Sequence, residues 1–149
     1  MAEFVKVEQQ TILLNQAAVF DESIPNRNGL IIHEDGSGVF LLRGIVRSPY
    51  IDWARYFVIF NGNIAVPTGA TVGAIAVALA INGETRPASL AITTPTVVEQ
   101  FDNVTSTATI LVPRGSSFTV SLRYVAASAA TPPASIVMQN ANLRIDRVA

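Results

Sequence analysis

Phe118-Thr119-Val120-Ser121-Leu122-Arg123-Tyr124 decides the fold class. Phe118, Val120, Leu122 and Tyr124 fall on one side of an extended chain and Thr119, Ser121 and Arg123 on the other, the period of a strand with one face in a core and one in water. Toward the C-terminus Ala141, Leu143 and Ile145 alternate with Asn142, Arg144 and Asp146 in the same way, which predicts a closing strand. Toward the N-terminus such signals recur about every ten residues between Gly, Pro, Asn and Asp, and no stretch keeps an apolar period of 3.6. The chain reads as all-β.

Two strands depart from simple alternation. Tyr56-Phe57-Val58-Ile59-Phe60 is large and apolar on both faces, so both faces need cover, and a partner subunit is one source of it. Ala74-Ile75-Ala76-Val77-Ala78-Leu79-Ala80-Ile81 puts large residues on one face and four alanines on the other. Alanine favours helix, but Gly73 and Asn82-Gly83 bracket eight residues of strict alternation, and Asn-Gly is a hairpin turn. Tyr56, Val58 and Phe60, with Ala74, Ala76, Ala78 and Ala80, are the candidate subunit-interface residues. Glu34-Asp35-Gly36-Ser37-Gly38 turns Leu30-Ile31-Ile32 back onto Val39-Phe40-Leu41-Leu42, and Ala126 to Ser135, with Pro132-Pro133, reads as an exposed loop.

A short internal echo supplies the corners. Ile64-Ala65-Val66-Pro67-Thr68-Gly69 recurs forty-six residues later as Ile110-Leu111-Val112-Pro113-Arg114-Gly115. Proline donates nothing to a ladder and glycine permits positive φ, so V-P-x-G ends one strand and carries the chain over the end of a sheet. Val66, Pro67, Gly69, Val112, Pro113 and Gly115 are the corner residues. Two such corners suit a two-sheet antiparallel jelly roll better than an up-and-down barrel.

Phe40-Leu41-Leu42, the two V-P-x-G corners, an apolar strand ending in Asn82-Gly83, the Thr-rich run Thr105 to Val112 and a terminal A-x-L-x-I-x-R at Ala141 to Arg147 together resemble the C1q/TNF-like jelly roll. The likeness is nearest in style to the C-terminal domains of bacterial collagen-like spore-surface glycoproteins and to related modules of Firmicutes phages and prophages. It spans residues 17 to 149. The resemblance implies a ten-stranded β-sandwich that forms a homotrimer, with one sheet around the three-fold axis. No Gly-X-Y repeat precedes the domain, and residues 1–16 read as an arm or extra strand, with Phe4-Val5-Lys6-Val7 and Ile12-Leu13-Leu14 its strand-like pieces.

Composition narrows the function classes. At 149 residues the chain suits one domain, long enough to bury roughly 68–70% of its unfolded surface. Ten basic against eleven acidic residues give a net charge of -1, so nucleic acid and anionic membrane are not expected partners. Charged residues are 14% and apolar ones 50%, which suits burial against copies of itself or a partner. Residues 56 to 83 carry no charge, but Pro67, Gly69 and Gly73 break the run that a membrane helix would need. There are no cysteines, and the N-terminus lacks the apolar core of a signal peptide.

The residues offer little catalytic chemistry. His33 is the single histidine, beside a turn, and no G-x-S-x-G or phosphate loop occurs. Adjacent carboxylates, Asp21-Glu22 and Glu34-Asp35, would point apart on a strand. No cofactor is expected; calcium at Glu34 and Asp35, aided by carbonyls of the Gly36 to Gly38 turn, is the one the residue types allow. Tyr50, Asp52, Trp53 and Arg55 form a loop able to stack on a sugar ring or to anchor onto its own sheet or a neighbouring subunit. The expectation is a non-enzymatic, homotrimeric structural protein of a phage-like virion (a capsid decoration, head-fibre or tail-fibre knob) bound to capsid or tail proteins. A spore- or cell-surface trimer and a carbohydrate-binding adhesin are the alternatives.

Overall fold

The computed structural model describes residues 2–24, 29–127 and 131–148, with backbone alone at 22–24. Twelve strands appear in these residues: β1 (Ala2–Lys6), β2 (Gln10–Leu13), β3 (Glu22–Ile24), β4 (Ile31–Ile32), β5 (Phe40–Arg43), β6 (Trp53–Ala65), β7 (Ile75–Ile81), β8 (Glu84–Thr85), β9 (Ala91–Thr93), β10 (Asp102–Pro113), β11 (Ser117–Val125) and β12 (Ser135–Arg147). They form two antiparallel sheets. The first runs β10-β6-β12-β1-β3, with β2 also on β12; the second runs β4-β5-β11-β7-β8, with β9 also on β7. The count exceeds ten because β4 and β8 are two-residue pieces and β1 to β3 add to the first sheet.

Alternation along each strand sends one set of side chains between the sheets. Val120, Leu122 and Tyr124 of β11 are buried and Phe118 packs against them, while Leu143 and Ile145 of β12 meet them from the first sheet. Val77 and Leu79 of β7 and Phe40 and Leu42 of β5 complete the layer. β7 is a strand, and Asn82 (φ 53°) and Gly83 (φ 83°) make the two-residue, both-positive turn into β8. No helix among the described residues is long and apolar enough to cross a membrane. The uncharged run at 64–81 is the end of β6, a corner and β7.

β1 and β2, within residues 2–13, pair into the first sheet. β1 sits between β12 and β3, Phe4 opposite Leu143, and Phe4 is buried in the common core. Lys6 Nζ reaches Asp21 Oδ2 at 2.5 Å. The Phe4 ring also meets Phe40 at 4.6 Å and His33 at 4.9 Å, and His33 stacks on Phe40 at 4.4 Å with planes 13° apart. His33 Nε2 lies 2.8 Å from the Ser37 carbonyl, which only accepts, so Nε2 is the donor of this bond.

The two corners are built alike. Each crosses from the first sheet to the second, β6 to β7 and β10 to β11. The valine is buried, the glycine takes φ of +91° (Gly69) or +79° (Gly115), and the next amide donates back to the proline carbonyl, Ala70 to Pro67 at 3.2 Å and Ser116 to Pro113 at 3.0 Å. Positive φ at the third position of such a turn is the type II geometry that glycine fits without strain.

Candidate functional site

The variable residue of each corner pins the loop at its end of the sandwich. Thr68 gives both its amide and its hydroxyl to Glu99 Oε1, at 3.2 and 3.1 Å, and so fastens the loop that follows β9. Arg114 reaches further. Its amide donates to the Asp52 carbonyl at 2.7 Å, and its guanidinium donates to the carbonyls of Val46 at 2.9 Å, Ser48 and Ile51. One planar fork thereby satisfies three carbonyls of the loop between β5 and β6.

That loop and the first residues of β6 present Tyr50, Ile51, Asp52, Trp53 and Arg55 around a depression of about 260 Å³. Tyr50 is 92% exposed and Trp53 47%. Among the described residues no side chain bonds to the Tyr50 hydroxyl, the Asp52 carboxylate, the Trp53 indole N–H or the Arg55 guanidinium. The backbone is committed and the side-chain groups are free, a preorganised arrangement for a ligand. The structure therefore brings together all four residues that the sequence singled out here. Arg114, which holds them, was missed: its one sequence signal was its place inside the corner motif.

The interface candidates fall differently. Tyr56, Val58 and Phe60 are fully buried in the protomer's own core, so they are not available to a partner. Period two made the strand doubly apolar but did not say which face turned inward. The outward residues of β6 are Phe57 and Ile59, half-buried. Their register neighbours are Thr109 and Thr107 of β10 on one side and Asp146 and Arg144 of β12 on the other, with Leu111 exposed one step along. In β7 the outward alanines Ala76, Ala78 and Ala80 are already buried within one chain, Ala76 and Ala78 in a small cluster with Val125 and Ala127. Ala74, just before β7, is half-buried. Alanine's small side chain lies below its larger cross-strand neighbours, so this face is covered without a second subunit.

The remaining candidates gather no chemistry. Glu34 and Asp35 are exposed at their turn, whose Glu34 and Ser37 carbonyls already accept from Ser37 and from Phe20 and His33. No group of three His, Cys, Asp or Glu that could hold a metal occurs among the described residues. Asp21 is taken by Lys6, and the Glu22 side chain lies outside the described residues. A wider cleft of about 770 Å³ separates residues 67–74 from 131–135, but its walls are small, uncharged and without aromatics.

Neither a family model nor a curated protein matches the sequence. Solved structures do match. The globular domain of zebrafish complement 1qA protein is similar at TM-score 0.63 and 12% identity, over 99% of this chain and 96% of that one. Eiger TNF from S. frugiperda is similar at TM-score 0.61 and 10% identity, over 100% of this chain and 92% of that one. At such identities the likeness is one of fold, and with the two antiparallel sheets it shows that the chain is a C1q/TNF-like jelly roll.

Proposed function

We propose that the chain is a non-enzymatic structural module that works as a homotrimer on the surface of a phage-like virion, with the outward face of the first sheet on the three-fold axis. The carrying observation is the pair Phe57 and Ile59, large apolar side chains on the strand next to the β10 edge and incompletely covered by their own chain. Beside them the outward row of β10, Asn103, Thr105, Thr107, Thr109 and Leu111, is uncharged. Such a patch suits a second copy of the chain better than bulk water. The second sheet is the weaker candidate, since its alanine row is covered within the protomer. The likeness to the folds of complement 1qA and a TNF, and the low charge of 14%, favour a packing module over an enzyme.

Light scattering tests the trimer. The expected mass is three times 15.9 kDa. Ile59→Glu should lower it to one protomer: Arg144 opposite Ile59 accommodates a carboxylate in the free chain, whereas an axis would bring three of them together out of water. A wild type that stays monomeric at micromolar concentration overturns the reading. Labelled antibody in electron microscopy tests the particle. Label on virions supports the assignment to capsid or tail partners, and label on spores or cell walls alone replaces it.

A further inference from the structure

Positive charge collects at one end of the sandwich. Residues 43–55, 111–117 and 146–148 carry Arg43, Arg47, Arg55, Arg114 and Arg147, half of the chain's ten basic residues, against Asp52 and Asp146. Main-chain bonds hold these segments together: Gly44 to Ser116 at 2.8 Å, Gly115 to Gly44 at 3.0 Å, Arg114 to Asp52 at 2.7 Å and Val148 to Arg55 at 2.9 Å. Three of the arginines are engaged. Arg43 bonds the Gly29 carbonyl at 3.2 Å, Arg114 spans its three carbonyls, and Arg147 lies 5.5 Å from the centre of the Tyr56 ring. All three already contact the protein's own groups, and the Arg55 guanidinium opens onto the depression of Tyr50, Asp52 and Trp53.

We propose that this depression binds an acidic saccharide, a pyranose bearing a carboxylate. The ring stacks on Trp53 and Tyr50 through its C–H face, the carboxylate pairs with Arg55 in the field of the other arginines, and ring hydroxyls donate to Asp52. The volume of about 260 Å³ falls below the 300–1,000 Å³ of drug-sized sites, which suits one ring. The local excess of arginine selects a negative ligand over a neutral one. A nucleic acid strand fits less well, because it needs a track of cations along a groove, whereas the depression here holds one ring and a single lining guanidinium, Arg55.

Titration calorimetry with sialyllactose and with trigalacturonate, against lactose, tests this at low salt. At least one acidic probe binds ten-fold or more tightly than lactose, and added salt weakens it. Trp53→Ala and Arg55→Gln each weaken that binding ten-fold or more with unchanged thermal unfolding, while Arg123→Gln, on the second sheet, leaves it alone. The monomeric Ile59→Glu chain keeps the binding, because every lining residue comes from one chain; the site and the trimer therefore fail separately. Equal binding of lactose, no binding of either acidic probe, or tighter binding of a single-stranded oligonucleotide overturns the proposal. So does a Trp53→Ala effect confined to oligomeric state, which would make the loop a subunit contact.

Discussion

The main-chain amide of Arg114 donates to the carbonyl of Asp52 at 2.7 Å, so the second corner and the aromatic loop form one unit. The guanidinium closes that unit on the carbonyls of Val46, Ser48 and Ile51. Arg114→Ala should leave the sandwich folded, costing about 1–3 kcal/mol for the lost charge-assisted bonds. Hydrogen exchange should quicken across residues 46–52 and hardly elsewhere. Arg114→Lys should rescue little, because an ammonium on a flexible stem does not reproduce a planar fork over three carbonyls. Full protection of the loop in the alanine variant would show that the clamp is not what orders it.

Gly44 stands against the same corner. A Cβ there would lie 2.1 Å from the Pro113 carbonyl oxygen and 2.8 Å from that of Ser116, and both obstacles are backbone. Gly44→Ala should destabilise by about 3 kcal/mol or more, the upper end of overpacking costs, because neither strand end can step aside. Gly69→Ala is the contrast. Its Cβ meets nothing within 4 Å, so only the φ of +91° is penalised, at about 1–2 kcal/mol. Denaturant midpoints should rank wild type above Gly69→Ala above Gly44→Ala, and the reverse order of the two variants would contradict the close approach.

What could be read in the sequence and what could not divide along a physical line. The corners were legible because Pro and Gly act on their own backbone, whatever lies around them. So was the strand character of Ile75 to Ile81, since alternation and the Asn82-Gly83 turn are local. The inward face of β6 was not legible: Tyr56, Val58 and Phe60 differ little from Phe57 and Ile59 in polarity, and only the position of the second sheet chooses between them. The alanine face of β7 misled for a related reason, its cover coming from Val125 and Ala127, distant in sequence. The Tyr50 to Arg55 loop was legible as a cluster of residue types, but its rigidity depends on a guanidinium some sixty residues on.

Alkaline pH should weaken the fold through three groups. Burial raises the Tyr56 and Tyr124 phenols above the ordinary value, and the hydrogen bond to Asp21 raises the Lys6 ammonium. Each therefore holds its proton more tightly folded than unfolded. Their contributions are fully present below the unfolded values, about 10 for tyrosine and slightly higher for lysine, and are lost as pH rises through the raised folded ones. Tyr56 and Tyr124 phenolate absorbance should appear together with loss of structure, not before it. Tyr56→Phe removes the bond from the hydroxyl to the Arg43 carbonyl at 2.6 Å, costs about 1 kcal/mol at neutral pH, and flattens the alkaline loss. A phenolate signal from these two residues in a fully folded chain would contradict their burial.

The two faces of β6 give the sharpest test of the architecture. Phe60 is fully buried and packs in the core, so Phe60→Ala should cost about 3–5 kcal/mol at any protein concentration. Ile59, one residue earlier, points the other way and is only half-buried in the protomer. In an isolated chain Ile59→Ala should cost clearly less, since part of that side chain is already in water. In a trimer closed on this face the cost should depend on concentration, because unfolding is then linked to dissociation. Urea unfolding at two well-separated protein concentrations distinguishes these cases. A Phe60→Ala cost smaller than that of Ile59→Ala at low concentration would mean that the inward and outward faces had been exchanged.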